Sequence, residues 1–80
     1  MKLPRNLSGP DVVKGLAKLG YTVTRQKGSH VRLTCQRNGE HHVTVPNHGR
    51  LRIGTLVEIL KDVAEHLILD RDTLLEEMFG

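Results

Sequence analysis

The strongest constraint on the fold is an alternation of apolar and polar residues with a period of two across residues 21–46. The apolar side chains fall on odd positions, at Tyr21, Val23, Val31, Leu33, Val43 and Val45. Strict alternation of this kind is typical of strands that have one buried face and one exposed face. The segment therefore predicts three strands of an antiparallel sheet that is covered on one side.

Each hairpin loop needs an odd number of residues, because the apolar odd positions must lie opposite one another. Three-residue loops that end in glycine satisfy this, at Gln26-Lys27-Gly28 and Arg37-Asn38-Gly39. In the first hairpin the predicted pairs are Val23 with Val31, Tyr21 with Leu33 and Thr24 with His30. In the second hairpin they are Leu33 with Val43, Val31 with Val45, Arg32 with Thr44 and Thr34 with His42.

Apolar residues at helical spacing flank the strands. Ser8, followed by Pro10 and Asp11, is typical of a capped helix start. A second helix is predicted to start near Thr55, where Thr55-Leu56-Val57-Glu58 matches a capping box. Asp70 is suited to cap a short third helix. The expected fold is α+β, in the order α-β-β-β-α, with the helices on one face of the sheet and a C-terminal third helix.

The length of 80 residues predicts a single domain spanning residues 1–80. Its core is expected over about residues 7–67, with an acidic helix over about residues 70–79. No apolar run approaches the length of a membrane span, about 18 residues, and the first ten residues lack the apolar segment of a signal peptide. One cysteine fits a reducing compartment. We therefore expect a cytoplasmic protein.

The charge is unevenly distributed along the chain. Residues 1–54 carry ten Lys and Arg against two acidic residues, a balance of +8, whereas residues 55–80 carry two against seven, a balance of −5. A basic region with an acidic tail indicates a polyanionic partner for the basic region. Tyr21 and Phe79 are the only aromatic residues, which disfavours recognition by stacking several bases on aromatic rings.

His30 is the candidate catalytic residue. It is predicted on the exposed face of the second strand, and basic residues surround it in the sequence. Histidine accepts and donates protons near neutral pH, and RNA cleavage needs a base for the 2′-hydroxyl together with cations that hold the phosphate. An exposed histidine on a basic sheet without any catalytic role is the alternative interpretation.

A metal site is a weaker hypothesis. Its candidate ligands would be His30, Cys35, His41, His42 and His48. Their spacings match no zinc pattern, and the alternation places Cys35 on the apolar face but His30 and His42 on the other. We therefore expect neither a metal nor another cofactor.

Several motifs taken together resemble the HicA toxins, small mRNA interferases of bacterial HicAB toxin–antitoxin systems. They are Leu7-Ser8-Gly9, Leu19-Gly20-Tyr21, Gly28-Ser29-His30, the run from Val43 to His48, and Gly54-Thr55-Leu56 with Ile59-Leu60. The resemblance covers about residues 7–63. It implies a fold like that of double-stranded-RNA-binding domains and metal-independent RNA cleavage in which His30 is catalytic.

The resemblance also implies a HicB-like antitoxin that covers the active face, so that the toxin is a monomer alone and a hetero-oligomer with its antitoxin. We expect His30 as general base on the 2′-hydroxyl, with the general acid left open among His42, Lys27 and water. The expected RNA contacts are Arg25, Lys27, Ser29, Arg32, Arg50 and Arg52, with Arg37 as a further candidate. The alternatives are a non-catalytic double-stranded-RNA-binding module and a pure protein-interaction subunit.

Overall fold

The computed structural model describes residues 2–80 and shows six regular elements over that range. In chain order they are α1 (Gly9–Lys18), β1 (Thr22–Lys27), β2 (His30–Cys35), β3 (His41–Pro46), α2 (Ile53–Leu67) and α3 (Arg71–Phe79). The strands form one antiparallel sheet in the order β1-β2-β3. The predicted α+β class and the order of elements are confirmed.

The hydrophobic core lies between the three helices and one face of the sheet. Val31 and Leu33 of β2 and Val45 of β3 are at most 2% exposed, and they join a single cluster with the apolar side chains of the helices. The residues between them on β2 and β3 are exposed or only partly buried. Burial therefore alternates along both strands as the sequence pattern predicts.

The pairing of β2 with β3 has the predicted register. Val31 lies opposite Val45, and Leu33 lies opposite Val43. The polar pairs on the other face are also the expected ones, Arg32 with Thr44 and Thr34 with His42. Burial on one face explains this success, because a slip of one residue would turn every apolar side chain toward solvent.

The predicted pairing of β1 with β2 is wrong. The hairpin has a two-residue turn, Gly28-Ser29, with φ of +58° at Gly28, so Lys27 instead of Thr24 lies opposite His30. A bulge at Thr24 shifts the register, and Val23 lies opposite Leu33 instead of Val31. All six residues of β1 are exposed, so burial does not fix their register.

The helix starts are partly as expected. Ser8 caps α1 in a reciprocal capping box with Asp11, and Asp70 caps α3 by accepting a hydrogen bond from the Thr73 amide at 2.8 Å. The expected capping box at Thr55 is wrong. α2 starts at Ile53, after an extended Arg52 that makes no side-chain cap, and Thr55 therefore lies inside the first turn.

The third helix completes the core. Leu74, Leu75 and Met78 are at most 1% exposed and belong to the hydrophobic cluster. The acidic side chains of α3, at Asp72, Glu76 and Glu77, face solvent. No helix within residues 2–80 is long and apolar enough to cross a membrane.

Candidate functional site

His30 starts β2 directly after the turn and is exposed. Lys27 of β1 and Pro46 of β3 lie opposite it on the two neighbouring strands. Residues directly opposite each other in an antiparallel pair point to the same face of the sheet. Lys27 and His30 therefore share the face that the helices leave uncovered, which confirms the predicted exposed position of His30.

The bulge at Thr24 brings Arg25 to the same face. An unbroken ladder from Val23 would set Arg25 opposite the buried Val31, whereas the bulge sets it opposite the exposed Arg32. The Thr24 hydroxyl lies 2.9 Å from the Thr34 hydroxyl, so the extra residue is itself hydrogen-bonded to β2. We call the resulting surface of Arg25, Lys27, His30 and Arg32 the basic sheet face.

The side chains of the basic sheet face form no ion pair within residues 2–80. Like charges directly opposite each other destabilise a sheet, yet Arg25 and Arg32 form such a pair. The ion pairs found within residues 2–80 join Arg37 to Glu77, His41 to Asp62 and His42 to Glu40. None of them neutralises this face, which is therefore suited to an anionic ligand.

The turn beside His30 is fixed to the loop that follows β3. The Asn47 amide donates to the Ser29 carbonyl oxygen, and the Gly9 amide at the start of α1 donates to the His48 carbonyl oxygen at 2.8 Å. A Cβ atom on Gly9 would clash with the Pro46 carbonyl oxygen and would lie 2.6 Å from the Cα atom of Asn47. The close approach of α1 thus needs glycine at position 9.

The remaining expected contacts lie apart from the sheet face. Arg50 forms an isolated bridge with Ser8, and Arg52 immediately precedes α2. Both are exposed. Ser29 is exposed in the turn next to His30. The site residues therefore form two groups, one on the basic sheet face and its turn and the other on the loop after β3.

The comparison with protein families gives a match over residues 9–64, more than half of the chain. The matching family model is described as HicA toxin of bacterial toxin–antitoxin systems. The chain belongs to the HicA toxin family. Its membership supports a toxin role with an antitoxin as partner, and the match includes both the turn at Ser29 and the loop at Asn47. No curated protein and no solved structure matched the chain.

His42 lies far from His30 in this HicA-family chain. It shares the uncovered face but pairs with Thr34, four positions along β2 from His30, or about 13 Å. Its Nδ1 atom lies 2.7 Å from the Thr34 hydroxyl and its Nε2 atom 2.9 Å from a Glu40 carboxylate oxygen. The hydrogen bond from His42 lowers the pKa of Glu40 below its usual range. The geometry disfavours His42 as a direct partner of His30.

His41 belongs to a network at the other end of the sheet. Its Nδ1 atom lies 2.7 Å from the Tyr21 hydroxyl, its Nε2 atom lies 3.2 Å from Asp62, and its ring stacks on His66. Burial, and then a hydrogen bond with Cys35, raise the pKa of Tyr21. His41 is partly buried, and its contacts are those of a structural residue.

The histidines and the cysteine do not converge on a metal site. Across residues 2–80 there is no group of three or more His, Cys, Asp or Glu side chains that could hold a metal ion. Cys35 lies on the buried face, whereas His30 and His42 lie on the exposed one. The sheet thus separates Cys35 and His41, which lie opposite each other on one face, from His30 and His42 on the other.

Two residues near the site were not expected from the sequence, and one candidate phosphate contact lies apart from the basic sheet face. Gly9 holds the loop after β3, and Arg5 lies beside Arg50 and Arg52 at a cavity near the N-terminus. The sequence signal for Gly9 was a glycine at the first position of a helix, because most helices accept residues with longer side chains at that position. Arg37 pairs with Glu77 at 3.7 Å and does not lie on the basic sheet face.

Proposed function

We propose that this chain is an endoribonuclease that cleaves mRNA without a metal ion and is inhibited by a HicB-like antitoxin. The observation that carries the proposal is the position of His30, exposed beside the cationic side chains of Arg25, Lys27 and Arg32. This arrangement combines a group that exchanges protons near neutral pH with groups that bind phosphate. Membership of the HicA toxin family supports the toxin role.

In the proposed reaction the His30 imidazole removes the proton from a ribose 2′-hydroxyl. The 2′-oxygen attacks the adjacent phosphorus, and the bond from phosphorus to the 5′-oxygen breaks. The products are a 2′,3′-cyclic phosphate and a 5′-hydroxyl, so the departing 5′-oxygen must gain a proton. Lys27 lies opposite His30, which favours Lys27 or water over the distant His42 as its source.

The cations serve to bind the RNA and to stabilise charge on the phosphate. Guanidinium groups form paired hydrogen bonds with phosphate oxygens, and fixed cations favour the more highly charged transition state. We assign these contacts to Arg25, Lys27, Ser29, Arg32, Arg50 and Arg52. With two aromatic residues in the whole chain, binding through phosphates predicts weak sequence selectivity.

The antitoxin is proposed to act by covering the basic sheet face. A HicB-like partner with acidic groups would mask the cations and His30 together. We further propose that residues 1–80 form one domain, that the chain is monomeric alone and hetero-oligomeric with the antitoxin, and that it acts in the cytoplasm.

A non-catalytic double-stranded-RNA-binding module is the second candidate. The order α-β-β-β-α and the basic sheet face support it, since double-stranded RNA is recognised largely through its shape and phosphates. The two functions differ in the role of His30. An endoribonuclease needs His30 to cleave the RNA that it has bound, whereas a binding module does not cleave RNA.

Substitution of His30 separates these functions. For His30→Ala we expect cleavage of purified RNA to fall by about 10²- to 10⁴-fold, and induced expression to stop slowing growth. Thermal stability should change little, because His30 is exposed. RNA binding should also change little, because the proposed phosphate contacts are those of the cationic side chains. His42→Ala is the matched control and should cleave within a few-fold of wild type. Equal cleavage by wild type and His30→Ala would refute the catalytic assignment, and RNA binding without cleavage by wild type would favour the binding module.

A further inference from the structure

A second basic surface lies at a cavity near the N-terminus. The cavity has a volume of ≈ 470 Å³ and is formed by the N-terminal segment, the loop after β3 and the start of α2. Arg5, Arg50 and Arg52 line it, and no Asp or Glu does. Three cationic side chains around one open cavity give a strongly positive local potential.

The backbone around the cavity is held in place by packing and hydrogen bonds. The Leu51 amide donates to the Leu7 carbonyl oxygen at 2.8 Å, and Ser8 pairs with Arg50 in an antiparallel bridge. Leu51 is only 7% exposed and belongs to the core cluster. The segment that carries Arg5 is therefore fixed beside the segment that carries Arg50.

The three arginines have no acidic partner within residues 2–80. Arginine stays protonated at all physiological pH values, and none of the ion pairs within residues 2–80 involves these side chains. Mutual repulsion makes such a cluster unfavourable by itself. An anionic ligand in the cavity would offset this repulsion.

The cavity is connected to His30 by a short stretch of chain. Pro46 lies opposite His30, and Arg50 follows four residues later. Four extended residues span at most about 14 Å, which corresponds to roughly four stacked nucleotides at 3.4 Å each. One RNA strand is therefore long enough to reach both places.

We infer that this cavity binds a backbone phosphate of the RNA substrate a few nucleotides from the cleaved bond, and that Arg5 is a phosphate contact there. The inference rests on the proposed function and extends it, because it adds Arg5 to the contacts and places Arg5, Arg50 and Arg52 around one phosphate outside the basic sheet face. A strand fixed at that phosphate and at the basic sheet face is held in register across His30, which favours productive orientation of the 2′-hydroxyl.

The salt dependence of RNA binding tests this inference. The probe is a short single-stranded RNA with 2′-O-methyl groups, which lacks the nucleophile for cleavage, and its affinity is measured at salt concentrations from about 50 to 200 mM. Each phosphate contact on a single strand contributes about 0.7 to the slope of log K against log salt. We expect Arg5→Gln to lower the slope by about 0.7.

Two variants control for charge and folding. Lys18→Gln removes the same charge at the other end of α1, about 15 Å from its start, and should leave the slope unchanged. Arg5→Lys keeps the charge and should keep most of the slope. The melting temperature of each variant shows whether it is folded.

A normal slope for folded Arg5→Gln would overturn the inference and leave the proposed function intact, and the cavity would then suit an acidic protein surface. A wild-type chain that does not bind RNA at all would overturn both the inference and the proposed function. An equal loss of slope in Arg5→Gln and Lys18→Gln would also overturn it, since the effect would then be one of net charge.

Discussion

β1 and β3 flank the same central strand, but only β3 is built into the core. Val23 of β1 and Val43 of β3 both lie opposite Leu33, yet Val23 is 52% exposed and Val43 is 6% exposed. α1 and α2 pack against β3, whereas all six residues of β1 face solvent. Val23 and Val43 are thus neighbours of the same residue, but the first is exposed to solvent and the second is buried in the core.

The difference separates residues that hold the fold from residues that remain available for binding. β3 contributes Val43 and Val45 to the core, and its end at Pro46 is held by α1. β1 contributes no buried side chain, and its bulge turns Arg25 toward the uncovered face. Substitutions in β3 should therefore affect mainly stability, and substitutions in β1 mainly RNA binding.

The largest effect is expected at the contact that anchors the end of β3. Gly9→Ala should lower the free energy of unfolding by about 3 kcal/mol, because the new methyl group meets backbone atoms of Pro46 and Asn47 that cannot easily move. Chemical denaturation measures the loss. RNA cleavage per folded molecule should also fall, since the displaced loop is bonded to the turn beside His30.

Gly15→Ala is the matched control for that substitution. Its methyl group would lie 3.0 Å from the Phe79 side chain and 3.2 Å from that of Met78, both of which can adjust. We expect a loss of about 1 kcal/mol with unchanged cleavage per folded molecule. Equal activity loss in both variants would show that Gly9 has no special connection to the site.

The next effect compares the two valines directly. Val43→Ala should lower the free energy of unfolding by about 2 kcal/mol, because it removes buried methyl groups and leaves a cavity. Val23→Ala should change it by less than about 0.5 kcal/mol, the usual range for surface positions. Similar losses at both positions, measured by urea unfolding, would contradict the contrast between β1 and β3.

A smaller effect is expected at Arg25, where β1 should influence binding without influencing stability. Arg25→Gln should lower the salt slope of RNA binding by about 0.7, the contribution of one phosphate contact, with an unchanged melting temperature. The same substitution at Arg37, which pairs with Glu77, is the control and should leave the slope unaltered. An unchanged slope in Arg25→Gln would remove β1 from the proposed RNA surface.

The smallest effect concerns α3, which packs against the two helices that cover β3. Hydrogen bonds from the Thr73 backbone amide and then its hydroxyl lower the pKa of Asp70 below its ordinary value of 3.8. The ionised carboxylate therefore stabilises the fold above pH 3.8, and this contribution is lost as the pH falls through the lowered pKa. Asp70→Ser keeps a capping oxygen but does not titrate, so its melting temperature should fall less than that of wild type below pH 4. Melting temperatures of wild type and Asp70→Ser that fall equally with decreasing pH would contradict this role of Asp70.

The sequence predicted the covered half of the sheet better than the uncovered half. At Leu33 and Val43, burial on one face leaves a single acceptable register, so the alternation was sufficient. At Val23 no burial restricts the pairing, and a two-residue turn at Gly28-Ser29 competes with the three-residue loop. The choice between them depends on the bulge at Thr24 and its hydrogen bond to Thr34, contacts that alternation does not encode.

The candidate site was also predictable only in part. The exposed position of His30 followed from its place between the turn and Val31, and the family match covers that motif. The common face of Arg25 and Arg32 depends on the bulge, and the contact of Gly9 with Pro46 joins segments 37 residues apart. Such long-range contacts leave no periodic pattern in the sequence, so they had to be found in the structure.

The ends of the cleavage products show whether a 2′-hydroxyl or a water molecule attacks the phosphate. The proposal that His30 acts on a 2′-hydroxyl without a metal predicts 2′,3′-cyclic phosphate and 5′-hydroxyl ends, formed at the same rate with and without EDTA. RNA substituted with 2′-deoxy at the cleaved position should remain intact under the same conditions. Cleavage that stops in EDTA, or products with 3′-hydroxyl and 5′-phosphate ends, would contradict the account.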